Sequence, residues 1–200
     1  MKSKAFNSIF IFDWDDTLFP TTFLVDEDII AQSNLSEELQ KTISILEEIV
    51  LNILNYTINK GDVYIITNSS IVWFKYSFNK FFPNLKKILE KINIISARDD
   101  YKFIYPGENK KWKEKAFLNL KTKINNSLVN NIICFGDSLI ELEAGRVLAN
   151  QLNNSFYKAI KFKENPEIED LIKQLNLIVN KIDYIYSEAK NLSITIEQKY

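Results

Sequence analysis

Short apolar runs alternate with longer stretches of helical periodicity along the whole chain, and this alternation constrains the fold more than any other feature. The runs at 8–13, 62–67, 92–96, 131–136 and 157–162 are largely apolar on both faces of an extended chain, which suits strands covered on both sides. Between the first two, Leu39, Ile43, Leu46, Val50, Ile53 and Leu54 recur at helical spacing; Asn34 or Ser36 is placed to cap that helix and Lys60-Gly61 to end it. A helical pattern over 71–82 stops at Pro83, a short one covers 85–91, and another covers about 110–123. The last begins at Asn165-Pro166 and runs over 165–190 through Leu171, Leu175, Ile178 and Ile182. The pattern predicts one α/β domain over 1–200, a three-layer Rossmann-like arrangement with a five-stranded, mainly parallel sheet between helices. Right-handed crossovers then bring every strand's C-terminal end to one edge, where open α/β sheets bind ligands.

At that edge the first run passes directly into Asp13-Trp14-Asp15-Asp16-Thr17. Carboxylates this close repel and raise one another's pKa, so the cluster stays ionised only when a cation or a substrate group compensates it. On an extended chain Asp13 and Asp15 share one side, while Trp14 and Asp16 face the other. The second run ends on Thr67-Asn68-Ser69-Ser70, a hydroxyl and amide groups at a helix start, which suits phosphate oxygens. The fourth ends on Gly136-Asp137-Ser138, with Glu141 and Glu143 close behind. All-oxygen donors of this kind suit Mg²⁺.

Composition narrows the chemistry. The 200 residues, 46% of them hydrophobic, suffice for one core, and the formal net charge of −1 gives no global drive towards nucleic acid or anionic membranes; phosphorylated nucleic acid stays open as a substrate. Histidine is absent and Cys134 is the single cysteine, which excludes intrachain disulfides and the usual His/Cys zinc sites and leaves acid–base work to carboxylates, Lys or Tyr. No apolar run reaches membrane-spanning length and no signal peptide is evident, so the expectation is a soluble, cytoplasmic protein without a membrane partner.

In the order and spacing of these segments, from about residue 8 to 162, the chain resembles the haloacid dehalogenase (HAD) superfamily of phosphohydrolases. Asp13-Trp14-Asp15-Asp16-Thr17 matches its first motif, Thr67 its second and Gly136-Asp137 its acidic fourth. The resemblance implies a Mg²⁺-dependent phosphatase acting on phosphate monoesters. Asp13 would be the nucleophile that forms an aspartyl-phosphate and Asp15 the acid and base. Thr67 and Asn68 would bind phosphate, and Asp13, Asp137 and the backbone carbonyl of Asp15 would bind the metal. A second acid at position 15 favours a phosphatase over a dehalogenase. The motif lysine has four candidates, Lys110, Lys111, Lys113 and Lys115. Lys113 is preferred, because Trp112, Ala116 and Phe117 then turn towards packing and leave it near the helix start. Glu141 stands where many relatives carry a second aspartate.

Members of that superfamily often carry a cap domain over the site. Here 19–60 offers only a flap-like stretch, 19–34, and one helix; the flap's Phe19, Phe23 and Leu24 are candidates to cover a small ligand. A capless, open site points to a phosphate carried on a bulky or macromolecular substrate. Arg98, Lys102 and Tyr105 follow the third strand near the same edge and are candidates to bind substrate, although a structural or solvated role is the preferred reading for each. Two rivals use similar residues. One is a catalytically silent protein-binding module on the same fold. The other is a phospho-accepting receiver, whose order of motifs differs, because here the candidate nucleophile comes first and Asp137 last.

Overall fold

The computed structural model describes residues 7–124, 129–152 and 155–196. Six strands form one parallel sheet in the order β3-β2-β1-β4-β5-β6. They are β1 (Ser8–Phe12), β2 (Gly61–Thr67), β3 (Asn93–Ser96), β4 (Asn131–Gly136), β5 (Phe156–Lys161) and β6 (Leu192–Thr195). The helices are α1 (Thr21–Asp26), α2 (Glu37–Ile58), α3 (Ile71–Phe81), α4 (Lys86–Leu89), α5 (Ala97–Tyr101), α6 (Asn109–Lys123), α7 (Leu139–Asn150) and α8 (Ile168–Ser187), with a 3₁₀ turn at Pro83–Leu85.

The two-residue period of the strands divides the core. On β1, Phe10 and Phe12 face a cluster shared with α2, α3 and α8, while Ile9 and Ile11 face one shared with α6 and α7. Each buried side chain of this size contributes about 1.5–3 kcal/mol relative to exposure. Helix α2 starts where the sequence places it: Ser36 Oγ accepts from Leu39 N at 3.2 Å.

The sheet has six strands where five were expected. Leu192-Ser193-Ile194-Thr195 alternates apolar with polar, because β6 is an edge strand whose odd and even positions differ in burial; a search for continuous apolar runs passes over it. The last helix also starts later than expected. Asn165 adopts φ 47° and Glu167 is the N-cap, without a side-chain cap bond. The flap is another correction. Phe19 and Leu24 are fully buried in the core around α2 and α3, and Phe23 packs against it, so these side chains line the core, while 25–28 and 31–34 are exposed.

Loops at the C-terminal edge are tied to one another. Asp99 Oδ2 accepts from Ile71 N at 2.8 Å and thereby satisfies the start of α3. That backbone hydrogen bond, with help from Ser96 and Lys102, holds the Asp99 carboxyl below its ordinary pKa against the effect of burial. A depressed acid stabilises the fold above its unfolded pKa and ceases to do so as pH falls through the folded one. Asp99→Ala should therefore cost about 1 kcal/mol at neutral pH. In urea unfolding this deficit should shrink below about pH 4; an equal deficit at both pH values contradicts the charge-based account.

Candidate active site

The loop after β1 is shaped by its apolar residues. Trp14 and Phe19 stack with ring centroids 5.5 Å apart, and Trp14 Nε1 donates to the buried Ser77 Oγ at 3.0 Å. Asp16 takes φ 55°, a conformation Asp tolerates better than most residues, and its carboxylate accepts from Thr22 N at 2.9 Å and Thr22 Oγ1 at 2.5 Å. With Trp14 and Asp16 committed to the interior of the loop, Asp13 and Asp15 are left to face the sheet edge.

Asp13 continues β1 by donating its N–H to Phe135 O at 2.9 Å. Its Oδ1 accepts from Trp14 N at 2.8 Å and lies 2.8 Å from Lys113 Nζ. Lys113 is 1% exposed and its Nζ is also 3.8 Å from Glu141 Oε2. The other three lysines point elsewhere: Lys110 pairs with Glu143 at 3.0 Å, Lys111 with Glu108 at 2.5 Å, and Lys115 lies over the Tyr105 ring. Helical spacing places Lys113 inward with Trp112, Ala116 and Phe117.

Glu141 is positioned by a capping box. Ser138 N donates to Glu141 Oε1 at 2.7 Å, Ser138 Oγ to Oε2 at 2.8 Å, and Ser138 Oγ accepts from Ile140 N at 3.1 Å. Gly136 makes the approach possible, since a Cβ there would lie 2.3 Å from Glu141 Cγ and Oε1. Asp13, Asp137 and Glu141 thus offer carboxylate oxygens all within 4.8 Å of one another. Lys161, at the end of β5, fixes the Asp137 loop by donating to Asp137 O, and it also reaches Phe162 O at 2.9 Å.

The resemblance implies only the backbone carbonyl of Asp15 as a metal ligand, and the side chain of Asp15 has other partners. Its side chain turns away from Asp137 and Glu141: Oδ2 accepts from Thr67 Oγ1 at 2.8 Å, and Oδ1 from Trp73 Nε1 at 2.9 Å and Thr21 Oγ1 at 2.5 Å. The acid gathered with Asp13 and Asp137 is Glu141. Thr67 commits its proton to Asp15 and accepts from Ser69 N at 2.9 Å. Asn68 Nδ2 donates to Asn109 O at 3.2 Å, and its buried Oδ1 has no hydrogen-bond partner among the described residues. Trp73, Thr21 and Lys161 are positioned by the fold and are not marked by any motif. An aromatic on an amphipathic helix, a Thr in an apolar segment and a Lys ending a strand carry no local signal.

The electrostatics follow from burial. The Asp13 carboxyl is pushed well above the usual carboxylate range by burial, against the pull of Lys113, while Glu141, Asp137 and Asp15 push the same way as burial. Burial, then Glu141 and Asp16, push Asp137 up to about 7. Lys113 is held above its ordinary value because Asp13 and Glu141 outweigh burial, which acts in the opposite direction. Three carboxylates facing one ammonium leave two formal negative charges uncompensated when all are ionised. A divalent cation matches that deficit in both charge and donor chemistry, so the donor set fits Mg²⁺.

Among the described residues, no helix is long and apolar enough to cross a membrane. No family model, curated protein or solved structure matches this chain.

Proposed function

We propose that the chain is a Mg²⁺-dependent phosphatase that hydrolyses phosphate monoesters through an aspartyl-phosphate on Asp13, as its resemblance to the HAD superfamily implies. The observation that carries this reading is the meeting of Asp13, Lys113, Asp137 and Glu141 in one buried cluster beside the Thr67–Asp15 pair. Asp13 and Asp137 would hold the metal, with Glu141 beside them; bound Mg²⁺ would supply charge stabilisation to the transferring phosphoryl group.

The chain's own groups perform the rest. Trp14 N and Lys113 fix Asp13 Oδ1, which leaves Oδ2 to attack phosphorus as the bond to the leaving oxygen breaks. Asp15 gives that oxygen its proton, so that no bare alkoxide is expelled. In the second step water attacks phosphorus, Asp15 takes the water's proton, and the Asp13–phosphorus bond breaks to release inorganic phosphate. Thr67, Thr21 and Trp73 hold the Asp15 rotamer through both steps. Lys113 offsets negative charge on the phosphoryl oxygens.

The test is hydrolysis of an aryl phosphate in Mg²⁺, with activity expected to vanish on chelation and return on readdition. Absence of Mg²⁺-dependent turnover overturns the reading. Binding has a second readout. At a tenfold excess over its Kd, Mg²⁺ should raise Tm by about 3–6 °C. With the Mg²⁺ concentration held at that value for pH 8, the shift should be smaller at pH 6, because protons compete for Asp137, whose pKa is raised to about 7. Calorimetry showing equal shifts at the two pH values contradicts metal binding by these acids.

A further inference from the structure

The three donors to the Asp15 carboxylate differ in kind. Trp73 Nε1 reaches Oδ1 at 2.9 Å, Thr21 Oγ1 reaches the same oxygen at 2.5 Å, and Thr67 Oγ1 reaches Oδ2 at 2.8 Å. A hydroxyl donates or accepts and rotates to suit its partner, whereas an indole N–H only donates. The two threonines therefore fit either state of a carboxyl group that repeatedly loses and regains a proton. Trp73 fits one state alone, that in which Oδ1 carries no proton. The two oxygens are also unequally occupied: among the described residues Oδ1 accepts from two donors and Oδ2 from one. Each carboxylate oxygen offers about two lone-pair sites, so Oδ1 is filled and Oδ2 keeps one site for a reacting group.

The fold fixes the indole in this position. Trp73 lies in the first turn of α3, where its backbone N–H donates to the N-cap Ser70 Oγ at 3.1 Å. Its ring meets the fully buried Phe19 edge-on with centroids 6.4 Å apart, and the Tyr76 ring lies 5.9 Å away on the other turn of the helix. The chain's other two tryptophans donate to uncharged acceptors, Trp14 Nε1 to Ser77 Oγ at 3.0 Å and Trp112 Nε1 to Tyr105 O at 2.7 Å. Trp73 alone is directed at a carboxylate, and a hydrogen bond to an ionised acceptor is about twice as strong as one between neutral groups. On the opposite side Thr67 Oγ1 accepts from Ser69 N at 2.9 Å, which leaves its own proton for Oδ2.

Resting on the phosphatase reading above, we propose that Trp73 is a positioning residue that keeps Asp15 Oδ1 free of a proton, so that Oδ2 is the atom that exchanges protons with the reacting groups. In the first step the Oδ2–H bond breaks and the leaving oxygen gains that proton as it takes the electron pair of its bond to phosphorus. In the second step an O–H bond of the attacking water breaks and Oδ2 regains a proton as the water oxygen bonds to phosphorus. Without the indole, Oδ1 keeps only Thr21, whose hydroxyl is free to accept, and the proton divides between the two oxygens.

The experiment measures kcat/KM in Mg²⁺ for two esters, an aryl phosphate whose acidic phenol departs without a proton and an alkyl phosphate whose leaving oxygen requires one. The parent protein is compared with Trp73→Phe, which keeps an aromatic ring and loses the N–H, and with Thr21→Val, which keeps the side-chain shape and loses the hydroxyl. In Trp73→Phe the alkyl-to-aryl ratio should fall at least about tenfold, a part of the roughly 10²–10⁴-fold that a positioned acid supplies. Thr21→Val should lower the ratio by less, although its hydrogen bond is the shorter of the two. A role confined to holding the Asp15 rotamer gives equal effects or the reverse order, and a role confined to packing slows both esters alike. Either of these results, or an unchanged ratio in Trp73→Phe, overturns the proposal. If Trp73→Phe shows no cooperative melting transition, Trp73→Leu, which also lacks the N–H, is measured in its place against the same expectation. Failure of the parent protein to hydrolyse either ester overturns the phosphatase reading, and this inference falls with it.

Discussion

Asp13→Asn is expected to reduce turnover of an aryl phosphate by about 10⁴-fold or more, the scale on which removing a nucleophile acts. The amide keeps the shape of the carboxylate and cannot form the acyl phosphate. The fold should survive, because the substitution removes one like charge from a cluster in which Asp137 and Glu141 remain near Lys113. Melting temperature without metal should be unchanged or higher, which separates a chemical defect from a structural one. Activity within tenfold of the parent protein contradicts the assignment of the nucleophile.

The second large effect is on stability. Lys113→Met keeps the length of the side chain and removes the ammonium that lies 2.8 Å from Asp13 Oδ1 and 3.8 Å from Glu141 Oε2. Removing one partner of a buried ion pair costs about 3–5 kcal/mol, because the remaining charge stays desolvated. For a chain of this length that is a fall in Tm of about 6–20 °C. The deficit should be smaller at pH 5 than at pH 8: as pH falls through about 7, Asp137 takes up a proton, and fewer charges then need Lys113. Saturating Mg²⁺ should recover part of the loss by supplying positive charge to the same oxygens. A variant as stable as the parent at pH 8 shows that Lys113 does not compensate this cluster.

Physical reasons decide how much of this was legible before the structure. β1, β2 and β4 are covered on both faces, so their continuous apolar runs stand out, and the residues at their C-terminal ends follow from the parallel topology. β6 is covered unevenly and is only four residues long, so its pattern resembles a loop. Lys113 follows from helix geometry, since three packing residues around it fix the inward face. Glu141 is readable as well, because Ser138 followed three residues later by Glu is a capping-box pattern; its additional approach to Lys113 depends on the close contact allowed by Gly136. Phe19 and Leu24 illustrate the opposite case. Apolar residues in a short insertion suit a lid and a core wall equally well, and only packing against α2 and α3 distinguishes them. The Asp15 rotamer depends on Trp73, 58 residues away, a distance at which local sequence carries no information.

The most direct test is to quench a reaction of the parent protein with an aryl phosphate in Mg²⁺ and to map phosphorylation by mass spectrometry. A single phosphoryl group on the peptide containing Asp13, absent without Mg²⁺ and absent in Asp13→Asn, is the predicted result. Turnover with the phosphoryl group on another residue, or with none trapped while inorganic phosphate forms equally fast in Asp13→Asn, contradicts the account.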